Sequence, residues 1–240
     1  MRETLPLTGE RTTPGVVSEN YWFRRHVAAY RLAARVAGGR VVDAGCGEGY
    51  GSRILARHAR RVLALDLDEP TLVRARKRYP APGFARSDLL RMPLDRSSVD
   101  AIVALQVLEH VTDAEAFVQA CARVLRPGGV LVLSTPNRDT FPAGVNPFHV
   151  REFDPGELRD LLGRSFSDAR VGGIVHGPSL RLTERLLGEP IQHRLIRSPY
   201  EELPAALRAA LRAVTADSFR LSPNPEGTLD LFALCRTIEP

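Results

Sequence analysis

Short apolar segments alternate with helical segments along most of this chain, and this alternation limits the available folds more than any other feature. The main apolar segments are RVVDA (40–44), RVLALD (61–66), VDAIVALQ (99–106) and VLVLST (130–135). Each is a continuous apolar run, which is typical of parallel strands that are covered on both faces. The helical segments between them supply that cover. We therefore predict an α/β fold with a largely parallel sheet and helices on both faces.

The rest of the chain fits one domain over residues 1–240. A helix over 18–38 precedes the first strand and is expected to act as an N-terminal cap, followed by a core over 40–175. Two later strand candidates, ARVGGIV and LDLFALC, flank a leucine-rich tract, so we predict a helical insertion or lid over 176–215 and final strands within 216–240. A dimer interface is the alternative interpretation of that tract, which leaves a homodimer open.

Composition excludes several classes of protein. With 44% apolar and 25% charged residues, the chain is typical of a soluble globular protein. The net charge of +5 could favour an anionic partner such as RNA, but the arginines are spread along the chain, so we expect no nucleic-acid partner. Three separated cysteines indicate neither a disulfide framework nor a structural zinc site. The first seventeen residues lack a signal peptide's apolar core and no apolar run reaches membrane-spanning length, so we expect a cytoplasmic protein without a membrane segment.

A glycine-rich turn, VVDAGCGEGYGS, follows the first strand, where ligands bind in open α/β sheets. The dinucleotide fingerprint fails because its sixth position, counted from Gly45, is Tyr50, and the phosphate-binding loop fails because no lysine is present. What remains is an acid followed by spaced glycines: Asp43, Gly45, Gly47 and Gly49. A carboxylate beside the ligand suits a cofactor that carries an ammonium and a sulfonium rather than a pyrophosphate.

Two more acids stand at the ends of the next strands. Asp66 ends the second strand, where a carboxylate can accept both ribose hydroxyl protons. Asp88 follows the third strand and can accept from an adenine amino group while Leu89 packs beside the ring. Each position is ambiguous alone, but their order and spacing support one another.

These motifs resemble those of class I S-adenosylmethionine-dependent methyltransferases. VVDAGCGEGYG, LALDLD, RSDLLRMPLDRSSVDAIVALQVLEHV and RVLRPGGVLVLSTPN match that superfamily in sequence order, over residues 18 to about 170. The resemblance implies a Rossmann-like sheet of seven strands with the last antiparallel, and S-adenosylmethionine as cofactor with S-adenosylhomocysteine as product. It assigns the cofactor to Gly45, Gly47 and Gly49 (methionine part), Asp66 (ribose), Asp88 and Leu89 (adenine) and Gln106 (beside the methyl donor). Asp43 and Leu67 are also predicted to bind the cofactor.

A narrower resemblance extends over nearly the whole chain. LTGERTTPG, ENYWFRRHVAAY, STPNRDTF, NPFHVREF and HGPSL are similar to segments of actinobacterial methyltransferases linked to polymethylated polysaccharides such as methylglucose lipopolysaccharide. This resemblance implies polysaccharide biosynthesis and a saccharide or glycolipid hydroxyl as acceptor, that is, a small-molecule or oligosaccharide partner. A quinone, polyketide or other natural product is the second possibility, and an RNA methyltransferase or a non-catalytic cofactor-binding regulator is less favoured.

Transfer to a hydroxyl needs a base or a metal ion. His149 follows the fifth strand in the loop that should face the acceptor, and we predict that it is the base; tying down the loop is the alternative role. Glu109 and His110 are further catalytic candidates, with bracing of the next helix as the alternative. Quinone O-methyltransferases resemble this stretch but carry an acid where Gln106 stands and use it with Glu and His near a metal, so we predict no metal site and keep a divalent ion as the less favoured alternative.

The predicted acceptor-binding residues come from two segments. They are Tyr21 and Trp22 in the N-terminal helix, and Asn146, Arg151 and Glu152 around His149. Aromatic rings stack on sugar faces, and charged side chains bind sugar hydroxyls or orient the base.

Overall fold

The computed structural model describes residues 12–141 and 146–237. Most of the LTGERTTPG segment and the first eleven residues of the segment tested for a signal peptide lie outside the described residues, as do Gly144 and Val145 of the loop before His149. Every residue predicted for the site lies within them.

The sheet is mixed, and it has eight strands where the resemblance implied seven. The strands are β1 (Arg40–Ala44), β2 (Arg61–Asp66), β3 (Gly83–Arg86), β4 (Val99–Leu105), β5 (Leu125–Pro136), β6 (Asp168–His176), β7 (Phe219–Ser222) and β8 (Asp230–Arg236). Their order is β3-β2-β1-β4-β5-β8-β6-β7, with β1 to β5 parallel. The last strand, β8, lies antiparallel between β5 and β6, as expected. The additional strand is β7, a four-residue edge strand that forms because the chain returns from the insertion antiparallel to β6.

Eight α-helices lie in the described residues. They are α1 (Asn20–Ala33), α2 (Tyr50–Leu55), α3 (Glu69–Arg78), α4 (Ala114–Val124), α5 (Pro155–Gly163), α6 (Pro178–Leu187), α7 (Ile191–Arg197) and α8 (Ala205–Arg212). Asp68, Asp113 and Asp154 each accept a backbone hydrogen bond at the start of α3, α4 and α5, and Asp154 forms a capping box with Glu157. Helix α1 is shorter than predicted and begins after Glu19, which makes no side-chain cap.

The continuous apolar strands bury side chains on both faces of the sheet. In β4, Val103 faces a core formed with α1 and with the predicted insertion, including α8. Ile102 faces the other core, which is formed with α4 and α5. Both side chains are inaccessible to solvent, and each such burial stabilises the fold by about 1.5–3 kcal/mol. The two cores fix the sheet between its helices and bring the carboxyl ends of β1, β2, β4 and β5 to one edge.

Helices α6, α7 and α8 follow β6, in the region predicted as an insertion. Helix α8 packs against α1, where the Asn20 side chain donates to the carbonyls of Leu211 and Val214 (2.9 and 3.1 Å). Across the described ranges, no helix combines the length and the apolar character that crossing a membrane requires.

Candidate active site

A cavity of about 820 Å³ opens at the carboxyl ends of the parallel strands. Its walls come from the turns after β1, β2, β3 and β4, from α1 and α7, from the loop between β5 and α5, and from the start of β8. One half contains most of the residues predicted to bind the cofactor, and we call it the cofactor half. The other half contains Glu109, His110 and His149, and we call it the acceptor half.

The turn after β1 is held by backbone hydrogen bonds to the neighbouring strand. The amides of Gly45 and Cys46 donate to the carbonyl of Leu65 (2.8 and 2.9 Å), and the amide of Gly47 donates to Oδ2 of Asp66 (2.8 Å). A Cβ on Gly47 would meet nothing within 4 Å, because that side of the residue faces the cavity. The turn therefore leaves a space for a ligand over Gly47.

The other two predicted glycines have packing roles as well. A Cβ on Gly45 would lie 2.4 Å from a methyl group of Val107, although Gly45 lines the cavity. A Cβ on Gly49 would lie 2.9 Å from Ala75, and Gly49 is not among the residues that line the cavity. Close approach of neighbouring side chains explains this glycine better than contact with a ligand.

Asp43 lies behind the turn rather than in the cavity, which corrects its predicted place beside the cofactor. Its side chain is fully buried on the sheet face that α1 covers, where the hydroxyls of Tyr30 and Ser52 donate to it (2.9 and 2.5 Å). Burial raises the pKa of Asp43 to about 7, although both hydrogen bonds favour its charged form. The carboxyl group braces the turn from within the core.

The remaining predicted cofactor residues share the cofactor half. They are Asp66, Leu67, Asp88, Leu89 and Gln106, and all five line the cavity. Asp66 also accepts from the amide of Asp68 through Oδ1 (3.0 Å), which fixes the orientation of its carboxylate. Leu67 is 62% exposed, an apolar side chain at the opening of a cavity that can cover an aromatic ring. Gln106 has a φ of +56°, a conformation that is strained for a residue with a side chain and is concentrated at functional sites.

In the acceptor half, the turn after β4 is tied to the loop before α5. The carbonyl of Glu109 accepts from the amide of Val150 (2.7 Å), and Nδ1 of His110 donates to the carbonyl of Phe148 (3.0 Å). These bonds bring His149 beside His110, with ring centroids 5.0 Å apart and the rings nearly perpendicular. The predicted catalytic residues Glu109, His110 and His149 are therefore neighbours although they come from two separate segments.

Polar contacts inside the fold orient two of these groups. Nδ1 of His149 donates to Oε1 of Glu152 (2.9 Å), and both side chains are largely buried. Oε2 of Glu109 accepts from the hydroxyl of Thr135 (3.0 Å). Burial raises the pKa of Glu109 to about 8, since little solvent reaches its charge. One nitrogen or oxygen atom from each of Glu109, His110 and His149 lies within 4.8 Å of the others, close enough for the three to hold a metal ion. A divalent ion was the less favoured alternative in the sequence analysis.

The structure separates the predicted acceptor-binding residues. Trp22 and Asn146 line the cavity, and Glu152 acts behind it by supporting His149. Tyr21 is 1% exposed and bonds through its hydroxyl to Nε2 of His176 (2.7 Å), so it is a core residue and not a cavity residue. Arg151 points away from the cavity and pairs with Glu157 (3.2 Å). The predictions for Tyr21 and Arg151 are therefore wrong in position.

Three candidate functional residues of the cavity wall were not predicted from the sequence. Arg25 and Asp230 form a buried ion pair in the cavity wall (2.8 Å), and His26 lines the wall beside them. Burial lowers the pKa of His26 to about 4. A single acid within the apolar strand LDLFALC was the available signal for Asp230, whereas Arg25 and His26 resemble ordinary polar residues of a helix.

Comparison with known proteins agrees with this architecture. Residues 42–133, which run from within β1 to within β5 and contain the glycine turn, match the model of the methyltransferase domain family. In the solved structures, an S-adenosylmethionine-dependent methyltransferase of Thermotoga maritima superposes with a TM-score of 0.65 over 91% of both chains. At 17% identity this likeness shows the fold alone. The fold and the glycine turn define a methyltransferase domain.

Relatives of similar length define the family more closely. A probable S-adenosylmethionine-dependent methyltransferase of Mycolicibacterium smegmatis is 46% identical over 237 residues, which cover 94% of this chain and 91% of the relative. The chain belongs to the S-adenosylmethionine-dependent methyltransferases, so the predicted enzyme class and cofactor are confirmed. A ubiquinone biosynthesis O-methyltransferase of Xanthomonas campestris is 40% identical over 115 residues, which are 45% of this chain and 48% of that enzyme.

Proposed function

We propose that this enzyme transfers a methyl group to a hydroxyl of a saccharide or glycolipid. The observation that carries the proposal is the buried pair of His149 and Glu152, which presents an oriented imidazole to the acceptor half of the cavity. A hydroxyl is a poor nucleophile until a base removes its proton, and an imidazole is suited to that step near neutral pH. Trp22 and the polar wall of the same half fit a sugar, whose faces stack on aromatic rings. The resemblance of the NPFHVREF and ENYWFRRHVAAY segments to polysaccharide methyltransferases supports the same acceptor.

Several side chains and a backbone position of the cofactor half suit separate parts of S-adenosylmethionine. The open space over Gly47 fits the methionine part, and the fixed carboxylate of Asp66 is placed to accept from the ribose hydroxyls. Asp88 and the side chains of Leu67 and Leu89 fit the adenine, by a hydrogen bond from its amino group and by apolar contact. When bound, the cofactor supplies an electrophilic methyl group on a sulfonium. We assign Gln106, at the end of β4, to the boundary between the two halves.

His149 performs the proton transfer in the proposed reaction. Because Nδ1 of His149 donates to the Glu152 carboxylate, the neutral ring carries its lone pair on Nε2. Nε2 would accept the hydroxyl proton while the oxygen bonds to the methyl carbon that the cofactor would supply and the bond from that carbon to sulfur breaks, leaving its electrons on sulfur. Glu152 would stabilise the imidazolium that forms. The main contribution of the protein is to align the hydroxyl with the methyl group.

A quinone or other small aromatic natural product is the second candidate acceptor. The similarity to a ubiquinone biosynthesis O-methyltransferase favours it, and that similarity covers less than half of either chain. A phenolic hydroxyl ionises more readily than a sugar hydroxyl and so depends less on the base. The two acceptors therefore differ in how strongly turnover requires His149.

The test is methyl transfer from radiolabelled S-adenosylmethionine to oligosaccharides, glycolipids, quinols and RNA. We expect label in a saccharide or glycolipid, and label in quinols alone would contradict the proposal. His149→Ala should abolish transfer and leave cofactor affinity unchanged by calorimetry. His58→Ala replaces an exposed histidine in the turn that follows α2, and this matched control should retain full activity. Unchanged turnover in His149→Ala would remove His149 from the mechanism.

A further inference from the structure

Three side chains of the acceptor half, Glu109, His110 and His149, form a group that we call the His–Glu cluster. Their positions and orientations are fixed more completely than a single catalytic base requires. One candidate ligand atom from each residue lies within 4.8 Å of the others. Around a bound transition ion, ligand atoms at about 2.1 Å from the metal are roughly 3–4 Å apart. Small side-chain rotations would therefore bring the three atoms to coordination distance.

Glu109 offers an oxygen that the surrounding protein does not use. Its side chain is 1% exposed, and Thr135 occupies Oε2. Within 12–141 and 146–237, no donor forms a hydrogen bond with Oε1, which is fully buried. A buried carboxylate oxygen without a partner is costly, and it indicates a group that the protein structure alone does not supply. The position of Glu109 in the cavity wall places that group in the acceptor half.

Both histidines are oriented through the same ring atom. Nδ1 of His110 donates to the carbonyl of Phe148, and Nδ1 of His149 donates to the carboxylate of Glu152. Each acceptor fixes the tautomer whose lone pair is on Nε2, the form that coordinates a metal. A carboxylate behind a histidine, as Glu152 lies behind His149, is a recurrent support for metal ligands.

We propose that Glu109, His110 and His149 bind a divalent first-row transition-metal ion in the acceptor half of the cavity. Two imidazoles and one carboxylate suit ions such as Zn²⁺, Mn²⁺ or Co²⁺ better than Mg²⁺ or Ca²⁺, which prefer oxygen ligands. Three protein ligands leave coordination positions open for water or an acceptor oxygen, as in catalytic metal sites. The set differs from the acid, Glu and His of quinone O-methyltransferases, because Gln106 replaces the acid and His149 comes from a distant loop.

The proposed metal site is inferred only from the geometry of Glu109, His110 and His149, whereas its role in methyl transfer rests on the proposed function. With an ion bound, His149 is a ligand, and the ion replaces it as the group that activates the hydroxyl. Coordination makes the hydroxyl more acidic, so its proton passes to water in the cavity. The oxygen then forms its bond to the methyl carbon as the bond from sulfur to that carbon breaks, and both of its electrons remain on sulfur.

Metal binding is tested on the full chain after removal of metal by a chelator, without S-adenosylmethionine. Calorimetry with Zn²⁺ should show one ion per chain, and Co²⁺ should develop the visible absorption of a nitrogen-ligated ion. Glu109→Gln keeps an oxygen that can accept from Thr135, and both it and His149→Ala should lose this binding. Glu152→Ala, which removes only the support of His149, should weaken it by about 10–100-fold. His58→Ala should bind as the unaltered chain does.

The outcomes separate the metal site from the methyltransferase function. Absence of stoichiometric binding, or binding that survives Glu109→Gln and His149→Ala, overturns the site. The cofactor affinity of each variant, measured by the same calorimetry, shows whether that variant is folded. This affinity does not depend on the metal, so it serves as an independent control. If the site binds metal, methyl transfer that persists in chelator overturns the catalytic role of the ion and leaves the transfer reaction itself intact.

Discussion

Gly47→Ala tests whether the open side of the glycine turn is the place of the cofactor. The new Cβ would extend into the cavity, where it meets no protein atom within 4 Å. The residue has a φ of +47°, so alanine costs about 1–2 kcal/mol of folding free energy through its left-handed conformation. Reduced freedom of the unfolded chain offsets about 0.4–1 kcal/mol of this cost. The variant should therefore fold, with a free energy of unfolding lowered by about 1 kcal/mol.

Gly47→Ala should weaken cofactor binding more than it lowers the free energy of unfolding. A methyl group placed against a close-fitting ligand costs about 1–3 kcal/mol, which corresponds to a cofactor affinity roughly 5–150-fold lower. Gly188→Ala is the matched control: its φ is +71°, its Cβ also meets nothing within 4 Å, and it lies at the exposed end of α6. Calorimetric titration gives the affinity and urea unfolding gives the stability. If Gly47→Ala and Gly188→Ala lose equal stability and both bind the cofactor normally, the cofactor does not lie over Gly47.

Three further predictions concern the groups around the cavity. Asp66→Asn replaces one carboxylate oxygen with a donor that faces the amide of Gly47 or Asp68, and it removes a charged acceptor worth about 1.5–3 kcal/mol. Cofactor affinity should fall about 10–100-fold by calorimetry. An unchanged affinity would reject the role of Asp66 in binding the cofactor. His26 stays neutral in the folded chain because burial lowers its pKa from 6.5 to about 4. Between pH 6.5 and pH 4, the His26 side chain therefore takes up a proton only in the unfolded chain, and the free energy of unfolding falls as the pH falls. Urea unfolding at pH 7 and pH 5 should show a loss of at most about 2 kcal/mol that is absent in His26→Gln, and an equal loss in both chains would contradict the assignment. Arg25→Met leaves Asp230 buried without its partner and should cost about 3–5 kcal/mol in urea unfolding, most of it regained in the double variant Arg25→Met with Asp230→Leu.

The sequence was informative where a residue's role follows from its distance to the end of a strand. Asp66 and Asp88 were predicted for the cofactor half because parallel strands end at one edge of the sheet, and both line the cavity. The same reasoning misplaced Asp43, since strand position alone does not show which face of the sheet a side chain occupies. Asp43 faces α1, and Tyr30 and Ser52 hold it there.

Long-range pairing was beyond the reach of sequence patterns. Arg25 and Asp230 are 205 positions apart, and nothing local marks either as part of the cavity wall. Strand β7 has only four residues, FRLS, and it exists because β6 offers an edge with which it can pair. Tyr21 was misplaced because neighbouring residues of a helix point about 100° apart, so Trp22 reaches the cavity while Tyr21 faces the core.

The two halves of the cavity are therefore specified by different parts of the chain. The cofactor half is built from turns after consecutive strands, within the residues that match the methyltransferase domain. The acceptor half combines those turns with α1, the loop before α5 and the start of β8, and Trp22, His149 and Asp230 all lie outside the matched residues. Acceptor identity has to be read from His149, Trp22 and Asp230, the side chains that substitutions and acceptor screens should address together.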